Sequence, residues 1–268
     1  MKYPSLRNLI DKLKSSPRVK GIFTTGTTAT KMNPSSDIDF VVVLDKNPEN
    51  IKSVYTMIEN RFTDVFFFDI AWLNELQDKS EVSGDNFDSL FLEWLVKGKI
   101  EHDPENILSA LRQRISENPP LQKITDSEKR DFWIRTNYNF IANWRYYNSQ
   151  DEVYRKALEL RLLHSVSELM TAYFSFRDMP WRGEKTAVKY LEQNDKEFLS
   201  TFEKYSKSAS LDEKFKHYGE LFNAIFFSDY QKWEDDFIVP IAKQNQYSQE
   251  LVSFWGKLTD NENQNRFN

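Results

Sequence analysis

Apolar positions fall into two rhythms along the chain. Over the first hundred or so residues short apolar runs alternate with helical spacing. Leu6, Leu9, Ile10 and Leu13 recur every three or four residues and predict a helix over 4–15. Lys20–Thr25 reads as a short strand, and Ile38–Leu44 as a nearly continuous, Val-rich strand that Lys46-Asn47-Pro48 interrupts. Ile51, Val54, Ile58 and Phe62 have the spacing of a helix of about three turns. Asp64–Asp69 is a third apolar strand. Phe91, Leu92, Leu95 and Val96 predict a helix that stops at Gly98. Ile100–His102 is a short strand, and Asp103-Pro104 opens the next helix, with Asp as cap and Pro in its first position. Helices and strands that alternate in this way predict an α/β domain with a small mixed sheet.

The rhythm changes after Asn118-Pro119-Pro120. Residues 126–149 and 152–177 each carry several turns of helical periodicity, such as the stripe Phe132, Ile134, Tyr138, Ile141 and Trp144. Met179–Gly183 breaks the pattern, helices resume from Glu184, and Pro240 marks another break. The expected organisation is an α/β domain over 1–118, an all-α bundle over 121–258 and a polar, flexible tail over 259–268. There is no internal repeat and no low-complexity tract.

Composition narrows the classes. A chain of 268 residues, 40% hydrophobic and 15% aromatic, can bury a real core. The net charge of −5, from 36 basic and 41 acidic side chains, argues against a protein that coats polyanions. The absence of cysteine excludes disulfides, thiolate metal sites and cysteine nucleophiles. Three histidines, His102, His164 and His217, are too few to suggest a His-rich zinc centre. The N-terminus lacks the apolar stretch of a secretory leader, and no apolar run approaches the ~18 residues of a membrane span. A soluble, cytoplasmic protein with no membrane partner is expected.

Chemistry concentrates between the first two strands. An apolar strand ends in Gly26-Thr27, nine residues follow, and a second apolar strand begins at Asp37-Ile38-Asp39. Strand side chains alternate faces, so Asp37 and Asp39 point the same way. Like charges that close repel unless a cation lies between them. Oxygen ligands suit Mg2+, which takes one or two carboxylates, several waters and substrate phosphates. Gly26 lets backbone N–H groups approach an anion, because no Cβ stands in the way.

The Gly26-Thr27 turn with Ser36-Asp37-Ile38-Asp39 resembles the signature of the polymerase β-like nucleotidyltransferase superfamily. Thr27 stands where Ser is usual and keeps the hydroxyl. The likeness covers about the first 105 residues, in the order helix, strand, turn, strand, helix, strand. The helical half is similar to the bundles attached to antibiotic nucleotidyltransferases of the aminoglycoside and lincosamide type. The resemblance implies a third carboxylate on a later strand: Asp64, with Asp69 as the alternative on the opposite strand face. It also implies two Mg2+ ions held by Asp37, Asp39 and Asp64, and a nucleoside triphosphate, ATP first, contacted by Gly26, Thr27, Thr28 and Ser36. The reaction would move a nucleoside monophosphate to a hydroxyl and release pyrophosphate.

Other residues stay open. Arg182 and Lys185, beside Trp181 at a break between helices, could meet the triphosphate or form an ordinary turn. Gly183-Glu184-Lys185-Thr186 lacks the earlier glycine of a phosphate-binding loop. Lys31 reads as a solvated loop residue. Glu168 and Glu184 are candidate bases for the acceptor hydroxyl. His164 reads as a helix-face residue; Arg135, Arg145 and Arg177 lie on predicted helices without a stated role. Core packing accounts for most of Trp133, Trp144, Trp181, Trp233 and Trp255.

The resemblance implies a small-molecule acceptor, aminoglycoside- or lincosamide-like, and so a link to antibiotic resistance; the anionic balance suits a cationic acceptor. Two alternatives stay open: a toxin-like transferase acting on tRNA or protein, and a non-catalytic nucleotide-binding regulator. Nucleic acid is not favoured, and the chain is expected to be a monomer or homodimer.

Overall fold

Two arrangements of apolar residues build two units, Met1–Lys123 and Ile124–Asn268, each with its own core. The computed structural model describes residues 5–234, 236–241 and 249–259.

In the first unit, α1 (Leu6–Lys14) leads into β1 (Val19–Thr24), the one-turn helix α2 (Gly26–Ala29) and β2 (Ile38–Leu44). A hairpin of β3 (Ser53–Ile58) and β4 (Arg61–Asp69) follows, then α3 (Ile70–Gln77), β5 (Glu81–Ser83) and α4 (Phe87–Lys97). The unit ends with β6 (Lys99–His102), α5 (Ile107–Glu117) and β7 (Leu121–Lys123). Five strands form one mixed sheet in the order β3-β4-β2-β1-β6, in which β2 and β4 run parallel and the other neighbours antiparallel. The short β5 and β7 pair in parallel.

Both faces of this sheet are covered, which is why Ile38–Leu44 shows no polar alternation. On one face Ile22, Ile38, Phe40, Val42 and Val65 meet Leu9 and Ile10 of α1. On the other, Phe23, Val41 and Val43 meet Leu73 of α3, Phe91 and Leu95 of α4, and Leu108 of α5. Gly98 ends α4 as expected and joins it to β6: a Cβ there would stand 2.5 Å from the carbonyl oxygens of Thr24 and Trp94.

Two expectations fail here. Residues 51–62 do not form a helix. Glu59 and Asn60 both take positive φ, 53° and 59°, and fold the chain into a two-residue hairpin turn. Of the supposed apolar stripe only Ile58 is buried, while Val54 and Phe62 are exposed. A helix would have buried little, whereas as a strand the segment hydrogen-bonds to β4 along its length. The second failure is the start of α5, which lies at Ile107, not at Pro104. Asp103 still acts as the cap, but across a turn. Its carboxylate accepts the N–H groups of Leu108 at 3.1 Å and Ser109 at 2.8 Å.

The second unit is helical: α6 (Asp126–Tyr147), α7 (Glu152–Ser175), α8 (Glu184–Asn194), α9 (Lys196–Lys207), α10 (Leu211–Ile225) and α11 (Gln249–Thr259). Thr125 and Glu128 form a reciprocal capping box at the start of α6. Leu158, Leu162, Leu169, Tyr218 and Phe222 centre the core. Tyr138, Ile141 and Trp144 of the predicted stripe are exposed instead, and Phe140 stacks on Phe222 at 3.9 Å. Of the expected tail, 260–268 lies outside the described residues. Among the described residues no helix is long and apolar enough to cross a membrane.

The fold is therefore an α/β unit around a mixed sheet, followed by an all-α unit.

Candidate active site

The turn after β1 is latched to β2 at Asp39. The Thr25 N–H donates to the Asp39 carbonyl at 3.1 Å, and the Asp39 N–H donates to Thr28 Oγ1 at 2.9 Å. Gly26 takes φ +56°, a region that costs other residues energy. A Cβ at Gly26 would come within 3.3 Å of Asp39 Oδ2, so the carboxylate lies directly against the glycine backbone. The Thr27 hydroxyl oxygen is buried and has no hydrogen-bond partner.

The loop before Asp37 is held by its own polar groups. Ser36 is buried; its hydroxyl accepts the Asn33 N–H at 3.0 Å and its N–H donates to the Asn33 carbonyl at 3.0 Å. Arg61 of β4 donates to the carbonyls of Asn33 and Ser36, each at 2.7 Å. Ser36 thus shapes the loop that presents Asp37. Thr28 likewise has its hydroxyl oxygen engaged by the backbone. Lys31 is exposed in the same loop.

The third carboxylate lies on the neighbouring strand. In the parallel ladder Asp39 is registered with Asp64, and Asp64 in turn with Tyr55 of β3. Registered residues face the same side, so Asp39 and Asp64 project together beyond the core of α3, α4 and α5. Asp64 is partly buried, and its Oδ1 has no hydrogen-bond partner. Burial, and after it the charge of Asp37, holds the Asp64 carboxyl above the ordinary carboxylate range. Asp37 therefore stands within electrostatic reach of Asp64.

Asp69, the alternative third acid, is committed elsewhere. It lies on the other strand face and caps α3, accepting the Trp72 N–H at 2.9 Å.

Among the described residues no group of three or more His, Cys, Asp and Glu is drawn into a ready-made metal cage. A Mg2+ site does not need one, because waters and substrate phosphates complete its octahedron. An orphaned carboxylate oxygen that feels a second negative charge is the donor set a divalent cation would relieve. On that count Asp64, with Asp37 within electrostatic reach, fits such an ion.

The remaining candidates belong to the second unit. Arg182 precedes α8 and donates to the Trp181 carbonyl at 3.3 Å; Lys185 and Glu184 are exposed in the first turn of that helix. Glu168 is held between helices, accepting from Asn139 and lying 4.0 Å from Arg135. Arg177 donates to the Tyr173 and Ile225 carbonyls, each at 3.0 Å, and covers the Tyr173 ring, which is a structural role. His164 is exposed on α7. Sequence reasoning missed Arg61, because nothing in a lone strand arginine announces that it clamps a loop 25 residues earlier.

No family model matches the chain, and no curated protein matches it. A solved structure, a nucleotidyltransferase-like protein from Exiguobacterium sibiricum 255-15, overlays 82% of this chain and 73% of its own at 10% identity, with a TM-score of 0.41. An overlay that loose adds no weight to the residues described above.

Proposed function

We propose that the first unit is a nucleotidyltransferase that moves a nucleoside monophosphate from a nucleoside triphosphate to a hydroxyl of a small molecule. The observation that carries this is the registered pair Asp39 and Asp64, with Asp37 acting on Asp64 and Gly26 against Asp39. Asp64 is partly withdrawn from water, its Oδ1 has no partner and Asp37 repels it, an arrangement that costs stability. Its placement on the face of Asp39, which lies against the glycine turn, makes sense where a cation and phosphates offset that cost.

Asp37, Asp39 and Asp64 would hold two Mg2+ ions, which when bound neutralise charge on the attacking and leaving oxygens. The backbone of Gly26 and Thr27, with the Thr27 hydroxyl, would bind the phosphate tail; Arg182 and Lys185 remain proposed further contacts. The acceptor oxygen bonds to the α-phosphorus, the bond from that phosphorus to the pyrophosphate oxygen breaks, and pyrophosphate leaves. The hydroxyl's proton passes to solvent water as the new bond forms. Thr28 and Ser36 position Asp39 and Asp37 and touch no phosphate in this scheme.

The test is incubation with each labelled triphosphate, ATP first, in Mg2+, with panels of aminoglycosides, lincosamides and simpler alcohols. Pyrophosphate release that depends on Asp39 supports the proposal. Tight nucleotide binding with no pyrophosphate from any acceptor would replace it with a regulatory role.

A further inference from the structure

The face that carries Asp64 continues along β4 into an aromatic cleft. Asp64, Phe66 and Phe68 share one side of the strand by alternation, and on β3 Tyr55 is registered with Asp64 and Ser53 with Phe66. A cleft of about 540 Å³ is lined by Ser53, Tyr55, Phe66 and Phe68 together with Trp72 and Phe87. Its near end begins at Phe66, one two-residue strand step, about 7 Å, from Asp64.

The cleft is built in advance. Phe68 packs on Trp72 at 4.4 Å and Phe66 on Trp94 at 4.9 Å, so the lining rings are packed on one another and on α4. At the rim, Asn47 clamps its loop with two bonds to the Ile51 backbone, at 2.9 and 3.1 Å. Tyr55 and Phe87 stand 63% and 56% exposed, large rings held in water at the mouth. Aromatic rings bordering an open space of this size are what a planar ligand finds favourable.

Charge narrows the ligand. The charged residues of the lining are Lys52 and Asp69, and Asp69 Oδ1 is occupied by the Trp72 N–H. A polycation would meet a lysine here and no surplus of carboxylates.

We infer that this cleft binds a planar aromatic ring bearing a hydroxyl, placed so that the hydroxyl can reach the Asp64 end. The hydroxyl's role as acceptor rests on the transferase reading above; the binding of the ring does not. This departs from the expectation of a cationic aminoglycoside.

The experiment uses the full chain and two probes, 2-naphthol and kanamycin. Binding of 2-naphthol is followed by its fluorescence, and pyrophosphate release is measured with ATP and Mg2+. The expected result is saturable 2-naphthol binding that weakens at least tenfold in both Phe87→Ala and Tyr55→Ala. Both side chains are exposed, so neither change should disturb folding. Asp39→Asn should leave 2-naphthol binding within twofold of wild type. Naphthol binding with these losses, but no pyrophosphate from any acceptor, would support the cleft and sink the transferase reading. Pyrophosphate release with kanamycin and no naphthol binding would overturn the cleft and leave the transferase standing. Binding indifferent to both ring deletions would also overturn it.

Discussion

Asp39 of β2 and Asp64 of β4 stand opposite one another in a parallel ladder, although 24 residues separate them in the chain. Such strands lie about 4.8 Å apart, so two acids are forced onto one side of one sheet at nearly the closest approach backbone pairing allows. A sheet selected for stability alone would put an apolar or oppositely charged pair there.

The first prediction concerns Asp39. Asp39→Asn keeps the shape and removes one charge from the set. Transfer should fall roughly a hundredfold to a thousandfold, the scale of losing one preorganised electrostatic contact. Circular dichroism and the melting profile should stay at wild type or better. A variant that still releases pyrophosphate at the normal rate would remove Asp39 from the mechanism.

A second prediction follows from the sign of the Asp64 shift. Its carboxyl is raised in the folded state, by burial first and Asp37 second. In the unfolded chain it titrates near an ordinary Asp value, about 3.9. Below that pH both states hold the proton, and the contribution to stability is fully present. It is lost as pH rises through the folded-state value, because the unfolded chain releases the proton more readily. Asp64→Asn, which never ionises, should therefore melt above wild type at pH 7, on the order of a few degrees. The gap should close as the pH is brought down towards 3. Added Mg2+ should raise the melting temperature at pH 7 more for wild type than for Asp64→Asn, which keeps only Asp37 and Asp39 for the ion. A pH-independent difference between the two proteins would contradict the electrostatic account.

Much of this arrangement was legible in the chain. Ile38–Leu44 is apolar on both sides of a strand, and Asp37-Ile38-Asp39 at its start follows a glycine turn, so strand, turn and acid pair all show locally. The α6 and α7 helices show for the same reason: their periodicity runs for many turns. The hairpin at 53–69 was not legible, since Ile51, Val54, Ile58 and Phe62 satisfy helical spacing and the deciding fact is the left-handed pair Glu59 and Asn60. Neither residue carries the Asn-Gly or Asp-Gly signal that marks such turns. The role of Arg61 was hidden because it acts on backbone atoms 25 residues away, and that of Ser36 because its hydroxyl turns back onto the Asn33 N–H of its own loop. The cleft was hidden for a related reason: Tyr55 and Phe87 come to line one space only once β3, β4 and α4 are assembled.

Gly26 supplies the third prediction. Alanine at φ +56° costs about 1–2 kcal/mol in backbone strain, and its Cβ would crowd Asp39 Oδ2 at 3.3 Å. Gly26→Ala should lower stability by about that amount and also reduce turnover, through displacement of Asp39. Turnover held at the wild-type rate well below the melting transition would mean that Gly26 matters only for folding.

The last prediction separates the two candidates for the third acid. Asp69 holds the first turn of α3 through the Trp72 N–H, so Asp69→Ala should cost about 1 kcal/mol of stability, as lost N-caps do. Asp69→Asn or Asp69→Ser, which keep a capping oxygen, should recover most of it. Turnover in all three should stay within a few-fold of wild type when measured well below the melting transition. Asp64→Ala should do the reverse. It removes a carboxylate that has no partner for Oδ1, so the fold gains or holds its stability at neutral pH while transfer collapses. The crossed pattern is the test: one acid trades in stability, the other in turnover. If Asp69→Asn loses transfer and Asp64→Ala keeps it, the strand face has been assigned wrongly, and the centre must be rebuilt around the end of β4.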